Sequence, residues 1–306
     1  MELLKQLTEI RAAASDEGAM KEFLMEYIMK NAGNWKVKPQ IFEGREFQDC
    51  LIVVFGKPRT AIYAHMDSIG FSTGYDKELI KIGGPRLIDG MELVGSDSKG
   101  EIETELMIIE SEEGKSIQYV LDREIDRGTI LTFKPNFRET NEYIQSPYLD
   151  NRLGVWNALK VAETMEDGAI VFGTYEEHGG STVANCARFL MEEYGVYQAL
   201  ISDITWVTDG VGHGGGVAVS MRDSGLPRRS YLNRIIDLAK ESGVKFQLEV
   251  ESAGGSDGGV LQKSSLPIDW CFIGAAEDNV HTPDEKVFKY DIASMVALYS
   301  YLVKHL

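Results

Sequence analysis

The run Ala169-Ile170-Val171-Phe172-Gly173-Thr174-Tyr175-Glu176-Glu177 decides the reading of the fold. Its apolar part is strand-sized, and two carboxylates stand where the strand stops. Upstream, Val155, Ala158, Leu159, Ala162 and Met165 recur at helical spacing on one face. Downstream, a helical pattern through Val183, Cys186, Ala187, Leu190 and Tyr194 leads to a second apolar run, Ala199 to Asp203. A helix with Leu232, Ile235, Ile236 and Ala239 follows, then strands near Lys245 to Val250 and at Asp269 to Ile273, then a closing helix with Ile292, Met295, Val296, Tyr299 and Val303. Alternation of this kind predicts the α/β class, with a mixed, mostly parallel sheet and helices on both faces.

Toward the N-terminus, a helix is predicted from about Ser15 to Lys30, with Ser15 or Asp16 placed to cap it. Leu51 to Phe55 and Thr60 to Ala64 are separated by the turn composition Gly56-Lys57-Pro58-Arg59 and read as adjacent strands. Between about Thr73 and Ser146 the helical period disappears. Glycines recur among short β-type stretches such as Glu103 to Ile109, Ser116 to Leu121 and Thr129 to Phe133. This predicts a small all-β domain, residues 73–146, inserted into a discontinuous larger domain of residues 1–72 and 147–306, and its exposed strand edges suit pairing between subunits.

Composition narrows the function. The 306 residues carry 48 acidic against 31 basic side chains, a net charge of −17. That field repels a phosphate backbone and withholds counterion release, so nucleic acid is excluded as a partner. The longest apolar runs fall far short of the roughly 20 residues a bilayer helix needs, so no membrane partner is expected. Met1 to Arg11 has no apolar signal-type core, and the odd, scattered Cys50, Cys186 and Cys271 read as reduced buried thiols, which together predict a cytoplasmic protein.

In open α/β sheets, ligands gather beyond the carboxyl ends of the strands. Here every such position holds a metal-ligand type: His65 and Asp67 after Ala64, Glu176 and Glu177 after Tyr175, Asp203 after Ser202, His281 beyond Ile273, and Asp150 at the start of the helix containing Trp156. A single carboxylate at a strand end is ordinarily a helix cap. Five segments converging on one edge are not explained that way. Two histidines among carboxylates suit zinc, cobalt or manganese, whereas magnesium or calcium favours oxygen alone. The neighbours Glu176 and Glu177 repel each other unless a cation neutralises one of them.

The segments Ala64-His65-Met66-Asp67-Ser68-Ile69-Gly70, Leu149-Asp150-Asn151-Arg152-Leu153-Gly154, Tyr175-Glu176-Glu177, Ser202-Asp203-Ile204-Thr205, Gly254-Gly255-Ser256-Asp257 and Val280-His281-Thr282-Pro283-Asp284-Glu285 resemble, in order and spacing, the glutamyl-aminopeptidase and tetrahedral-aminopeptidase family of co-catalytic metallopeptidases. The resemblance spans nearly the whole chain. Related dinuclear carboxypeptidases and acylases carry their extra domain later. It implies a hydrolase with two divalent metal ions per subunit, zinc or cobalt foremost and manganese as a further option. Asp150 would bridge them, Glu177 and His281 holding one and His65 and Asp203 the other. Glu176 would be the general base acting on a metal-bridging hydroxide, and Asp67 would orient His65. Short peptides are the implied substrates, and a homo-oligomer the implied assembly. The pattern departs from the family at Ser68, where an acidic residue is usual, and at His178-Gly179-Gly180.

Asp257 and His178 are candidate substrate-binding residues, Asp257 toward a free amine, although turn capping and a plain turn are the competing readings. His213 sits in a glycine-rich loop, and Trp156, Tyr194 and Tyr299 read as core. Glu192-Glu193 and Glu112-Glu113 read as solvated charges. Two other functions compete with a peptidase: a dinuclear amidase or deacylase acting on N-blocked amino acids, and a non-catalytic protein that keeps the metal cage for stability. Retention of Glu176 beside Glu177 argues against the last, since binding alone needs no base.

Overall fold

The computed structural model describes residues 1–111, 114–180 and 182–306, so Glu112 and Glu113 lie outside the described residues. Among those described, one sheet has 11 strands and another has six. The centre of the large sheet is parallel: Gly168–Gly173, Ala61–His65, Gln198–Trp206 and Asp269–Asp278 lie side by side in that order. Antiparallel strands flank them, Gln40–Gly44 and Gln48–Phe55 on one side and Lys286–Phe288, Tyr143–Gln145 and Arg138–Glu139 on the other.

The central strands are mostly apolar because both faces are covered. Alternate residues go to opposite cores: Ile62, Ala64, Ile170, Phe172, Leu200 and Ile273 pack with the helices Glu2–Glu9, Gly18–Asn31, Leu149–Ala162, Arg229–Ser242 and Lys289–His305. Their neighbours Ala61, Tyr63, Ala169, Val171, Ala199, Ile201 and Phe272 pack with Val183–Tyr194 and Asp257–Lys263. Trp156 and Tyr299 are core, as their helical spacing predicts, while Tyr194 is half-buried against Phe42 and Phe189.

Three local expectations are corrected. Leu51 to Phe55 and Thr60 to Ala64 are not neighbours: Gly168–Gly173 inserts between them, antiparallel to the first and parallel to the second, because a four-residue link does not outweigh two faces of buried apolar pairing. Neither Ser15 nor Asp16 caps the second helix, which starts at Gly18 after Glu17 without a side-chain cap. Asp203 lies inside its strand rather than beyond it. The Ala61–His65 strand pairs with it only from Ala61–Ala199 to Tyr63–Ile201, so the two diverge there and leave Asp203 open to a crevice.

The six-stranded sheet comprises Leu79–Ile82, Gly70–Thr73, Ile130–Phe133, Glu92–Asp97, Gly100–Ser111 and Gly114–Val120. Its own core includes Phe71, Leu93, Leu106, Leu131 and Phe133. The edges are not left open as the sequence suggested. Glu78 bridges Gln118, and the Tyr119 amide donates to the Lys77 carbonyl, so the sheet curls until its end strands meet. Arg138–Glu139 and Tyr143–Gln145, although within 73–146, extend the large sheet.

Candidate metal centre

His65 closes its strand, Glu176 and Glu177 form the 3-10 turn after Gly168–Gly173, Asp203 faces the crevice, and His281 follows Asp269–Asp278. Asp150 enters from the start of Leu149–Ala162, where the Asp150–Asn151 peptide is cis. The structure therefore brings all five sequence-predicted ligands together. His65 Nε2 lies 3.3 Å from Asp150 Oδ1 and 3.6 Å from Asp203 Oδ2. His281 Nε2 lies 3.3 Å from Asp150 Oδ2 and 3.2 Å from Glu177 Oε2. Two ligand groups result, His65–Asp150–Asp203 and Asp150–Glu177–His281, sharing Asp150 through different oxygens.

The donor set fits divalent cations. Both imidazoles present Nε2, because Nδ1 of His281 is 3.1 Å from the Gly84 carbonyl and Nδ1 of His65 is 3.5 Å from Asp67 Oδ1. Glu177 Oε1 is buried without a hydrogen-bond donor among the described residues. Among the described residues no lysine or arginine lines the cleft, which Asp150, Glu176, Glu177 and Asp203 crowd with negative charge. Burial, reinforced by Asp150, pushes the Glu177 carboxyl up to about 7, and burial likewise takes Asp203 to about 6. Burial also holds Glu176 well above its ordinary value, assisted by Asp203 and Glu177 and opposed by His65. Burial opposes charging His281, but its hydrogen bonds to Asp150 and Glu177 prevail and raise it to about 11. Asp150 is held low, since its hydrogen bonds to His281 and His65 outweigh burial.

A scaffold of buried carboxylates sets this geometry. Asp67, fully buried, accepts the Glu176 amide at 3.2 Å on one oxygen and the Glu177 amide at 3.0 Å on the other. Three residues beside or within the site adopt left-handed backbone, Tyr148, Tyr175 and His281, a conformation that costs a non-glycine residue free energy unless neighbours enforce it. Glu17 accepts the Tyr175 amide at 3.2 Å, and Glu285 accepts the amides of His281 at 2.9 Å and Asp150 at 3.2 Å. These roles of Glu17 and Glu285 were not read from the sequence, although Glu17 stood in the predicted first helix and Glu285 in the segment Val280 to Glu285. The local signal, a carboxylate next to a helix start or turn, has too many other uses. Ser68, also buried, donates to the Ala12 carbonyl and ties the N-terminal segment beneath the site.

The substrate-binding candidates do not line the cleft. Asp257 is 1% exposed at the start of its short helix, behind the Gly173 backbone, because the Ser256 side chain caps that helix and turns the aspartate inward. His178 is exposed, and its Nδ1 accepts the Gly83 amide at 2.9 Å, which fastens the loop leading to Gly84. His213 is engaged by Asp278 at 2.8 Å and stacks on Phe288. The cleft, about 270 Å³, is instead completed by Thr205, Trp206, Asp223, Glu249, Glu251 and the Ala253–Gly255 turn.

Comparison with known proteins agrees with the geometry. The chain is 24% identical over 327 aligned positions to a protein of Acetivibrio thermocellus named "Putative aminopeptidase", covering 97% of this chain and 96% of the relative. An aminopeptidase of the archaeon Desulfurococcus kamchatkensis superposes with a TM-score of 0.85 at 20% identity, covering 100% of this chain and 94% of that one. The TET1 peptidase of Pyrococcus horikoshii, described as able to assemble into a tetrahedron or a large octahedral shell, gives 0.80 at 21% identity, covering 99% and 98%. The sequence model of the M42 glutamyl aminopeptidase family matches residues 92–298, more than half of the chain. The chain therefore belongs to the M42 glutamyl aminopeptidase family and is a metal-dependent hydrolase of the aminopeptidase class.

Proposed function

We propose that the protein removes N-terminal residues from short peptides at a centre of two divalent cations, zinc or cobalt first and manganese next. The observation that carries this reading is Asp150, whose two oxygens each lie 3.3 Å from a different histidine Nε2. His65 and Asp203 would hold one cation and Glu177 and His281 the other, with Asp150 common to both. Such ions supply Lewis acidity toward a peptide carbonyl and bring the pKa of water toward ~7.

The chain's own residues do the rest. Glu176 Oε2 reaches within 3.9 Å of His65 Nε2 but belongs to neither ligand group, which leaves it free to take a proton from water and return it to the leaving amine. The elevated proton affinity that burial confers on Glu176 suits both halves of that task. Asp67 positions Glu176 and Glu177 through their amides and faces the distal nitrogen of His65.

Glu176→Gln should lower kcat by ~10²- to 10⁴-fold while metal content stays at the wild-type level. Loss of metal instead would mean that the two glutamates exchange roles. Chelation followed by re-addition of zinc, cobalt or manganese tests the cation, and a free-amine peptide against its N-acetyl form separates this reading from a deacylase. The reading also includes a homo-oligomer built through the small sheet, supported by exposed Tyr75, Ile80, Met107 and Val120 on that unit, and light scattering of the full chain tests it. A cytoplasmic location is part of the same proposal, supported by three buried free thiols.

A further inference from the structure

We infer that the cleft selects substrates whose N-terminal side chain is cationic, arginine or lysine, with Glu249 as the specificity-determining residue and Asp223 and Glu251 as its flanks. This deepens the aminopeptidase reading and rests on it. Asp203 and Thr205 stand two residues apart on one strand, so both face the same side, separated by about 7 Å of extended backbone. The Thr205 hydroxyl donates to Glu249 Oε1. Glu249 thus sits one side chain beyond the ligand group, at a distance that the side chain of a residue held at that centre can span. Glu249 and Glu251 are again two apart, and both line the cleft together with Asp223.

Glu249 is 4% exposed, yet its hydrogen bond among the described residues comes from the Thr205 hydroxyl and not from an amide or a cation. Three other buried carboxylates around the centre are satisfied differently: Asp67, Glu17 and Glu285 each accept two backbone amides. Glu277, buried without a hydrogen bond among the described residues, does not line the cleft as Glu249 does. Among the described residues, no lysine or arginine forms an ion pair with Asp223, Glu249 or Glu251. Arg222, the nearest arginine in sequence, commits its Nε to the carbonyls of Asp223 and Glu251. A buried carboxylate in an open cavity, without amide or cation, is a charge awaiting a partner from the ligand. The walls suit a long cationic side chain. Trp206, 39% exposed, lines the cleft, and the Ala253–Gly255 segment, which packs beside its ring at Gly254, adds no bulky side chain. A glutamyl side chain would meet three carboxylates and, among the described residues, no lysine or arginine, so the family's descriptive name does not extend to this pocket.

The test uses the metal-loaded full-length protein and four aminoacyl fluorogenic amides: arginyl, citrullinyl, leucyl and glutamyl. Citrulline copies the shape of arginine without its charge. Arginyl amide should exceed citrullinyl amide in kcat/KM by about tenfold to a hundredfold, as a charged hydrogen bond is worth, and glutamyl amide should be the poorest. Glu249→Gln should collapse the arginyl-to-citrullinyl ratio to below about threefold while metal content is retained. Equal rates for arginyl and citrullinyl amides, or preference for the leucyl or glutamyl amide, overturn the inference and leave the aminopeptidase reading standing. Should no amide be turned over, the peptidase reading fails, and calorimetry of argininamide against citrullinamide still decides the pocket: selective binding of argininamide supports the charge assignment, and equal binding refutes it.

Discussion

Asp67→Asn probes the centre without touching a ligand atom. The wild-type carboxylate serves three groups: the amides of Glu176 and Glu177 at 3.2 and 3.0 Å, and the His65 ring nitrogen at 3.5 Å. Asparagine keeps one acceptor oxygen and replaces the other by a donor, so at least one N–H must face an N–H in a fully buried position. An unsatisfied buried donor costs about 1–3 kcal/mol, and at 1.4 kcal/mol per decade this is about 5- to 150-fold in an equilibrium or rate constant. If the oxygen stays on the side shared by the Glu176 amide and His65, the Glu177 amide faces a donor, that carboxylate shifts and metal affinity falls. Rotation the other way sets the donor against the Glu176 amide and the His65 ring nitrogen, which displaces the Glu176 turn, and kcat falls at saturating metal. Competition with a chromophoric chelator measures the first, and steady-state kinetics in excess metal the second. The expected sum of the two effects is a 10- to 100-fold loss, the range typical of groups that orient metal ligands. A variant that binds metal as the wild type does and turns over within about threefold of it would refute the positioning role derived from this geometry.

Two further expectations follow from the same coordinates. Metal affinity should climb with pH, because cations must displace protons from His281, raised to about 11, and from His65, and at lower pH also from Glu177 near 7 and Asp203 near 6. The gain should be steeper between pH 5 and 7 than between 7 and 9, since more protons are released per cation where the carboxyls are also protonated; a flat profile by calorimetry in buffers of matched ionisation heat contradicts the assignment. Gly154→Ala should destabilise the fold by about 1–3 kcal/mol or more, because a β-carbon there would lie 2.1 Å from the Ser202 carbonyl and 2.2 Å from Asn151 Oδ1. Chemical denaturation of the metal-free protein checks this, and a midpoint equal to wild type would show that the helix and strand can separate at no cost.

Much of the architecture was legible before any coordinates. Strands buried on both faces must be apolar at every position, and helices covering them must repeat at helical spacing, so Ala169 to Phe172 and Val155 to Met165 declare themselves locally. The ligand types were legible for a related reason: histidines and carboxylates at the ends of apolar runs have few other uses when five segments repeat the pattern. Pairing order was not legible. Nothing local tells Leu51 to Phe55 that its neighbour is Gly168–Gly173 rather than the run that follows it, because strand partners are chosen by which arrangement buries both faces of the whole sheet.

The sequence by itself determined which side chains are of the cation-binding type and that two glutamates stand side by side at one strand end, since those are properties of residue type and order. Tertiary structure alone decided that Glu17, Asp67 and Glu285 are the acceptors that hold the site's backbone, that Asp257 is turned inward, and that Glu249 lines the cleft without a countercharge. Each of these depends on which distant donors arrive around a buried carboxylate. Hydrogen-bond satisfaction and desolvation are set by neighbours in space, and a net charge of −17 spread along the chain does not reveal where one such charge is left unpaired.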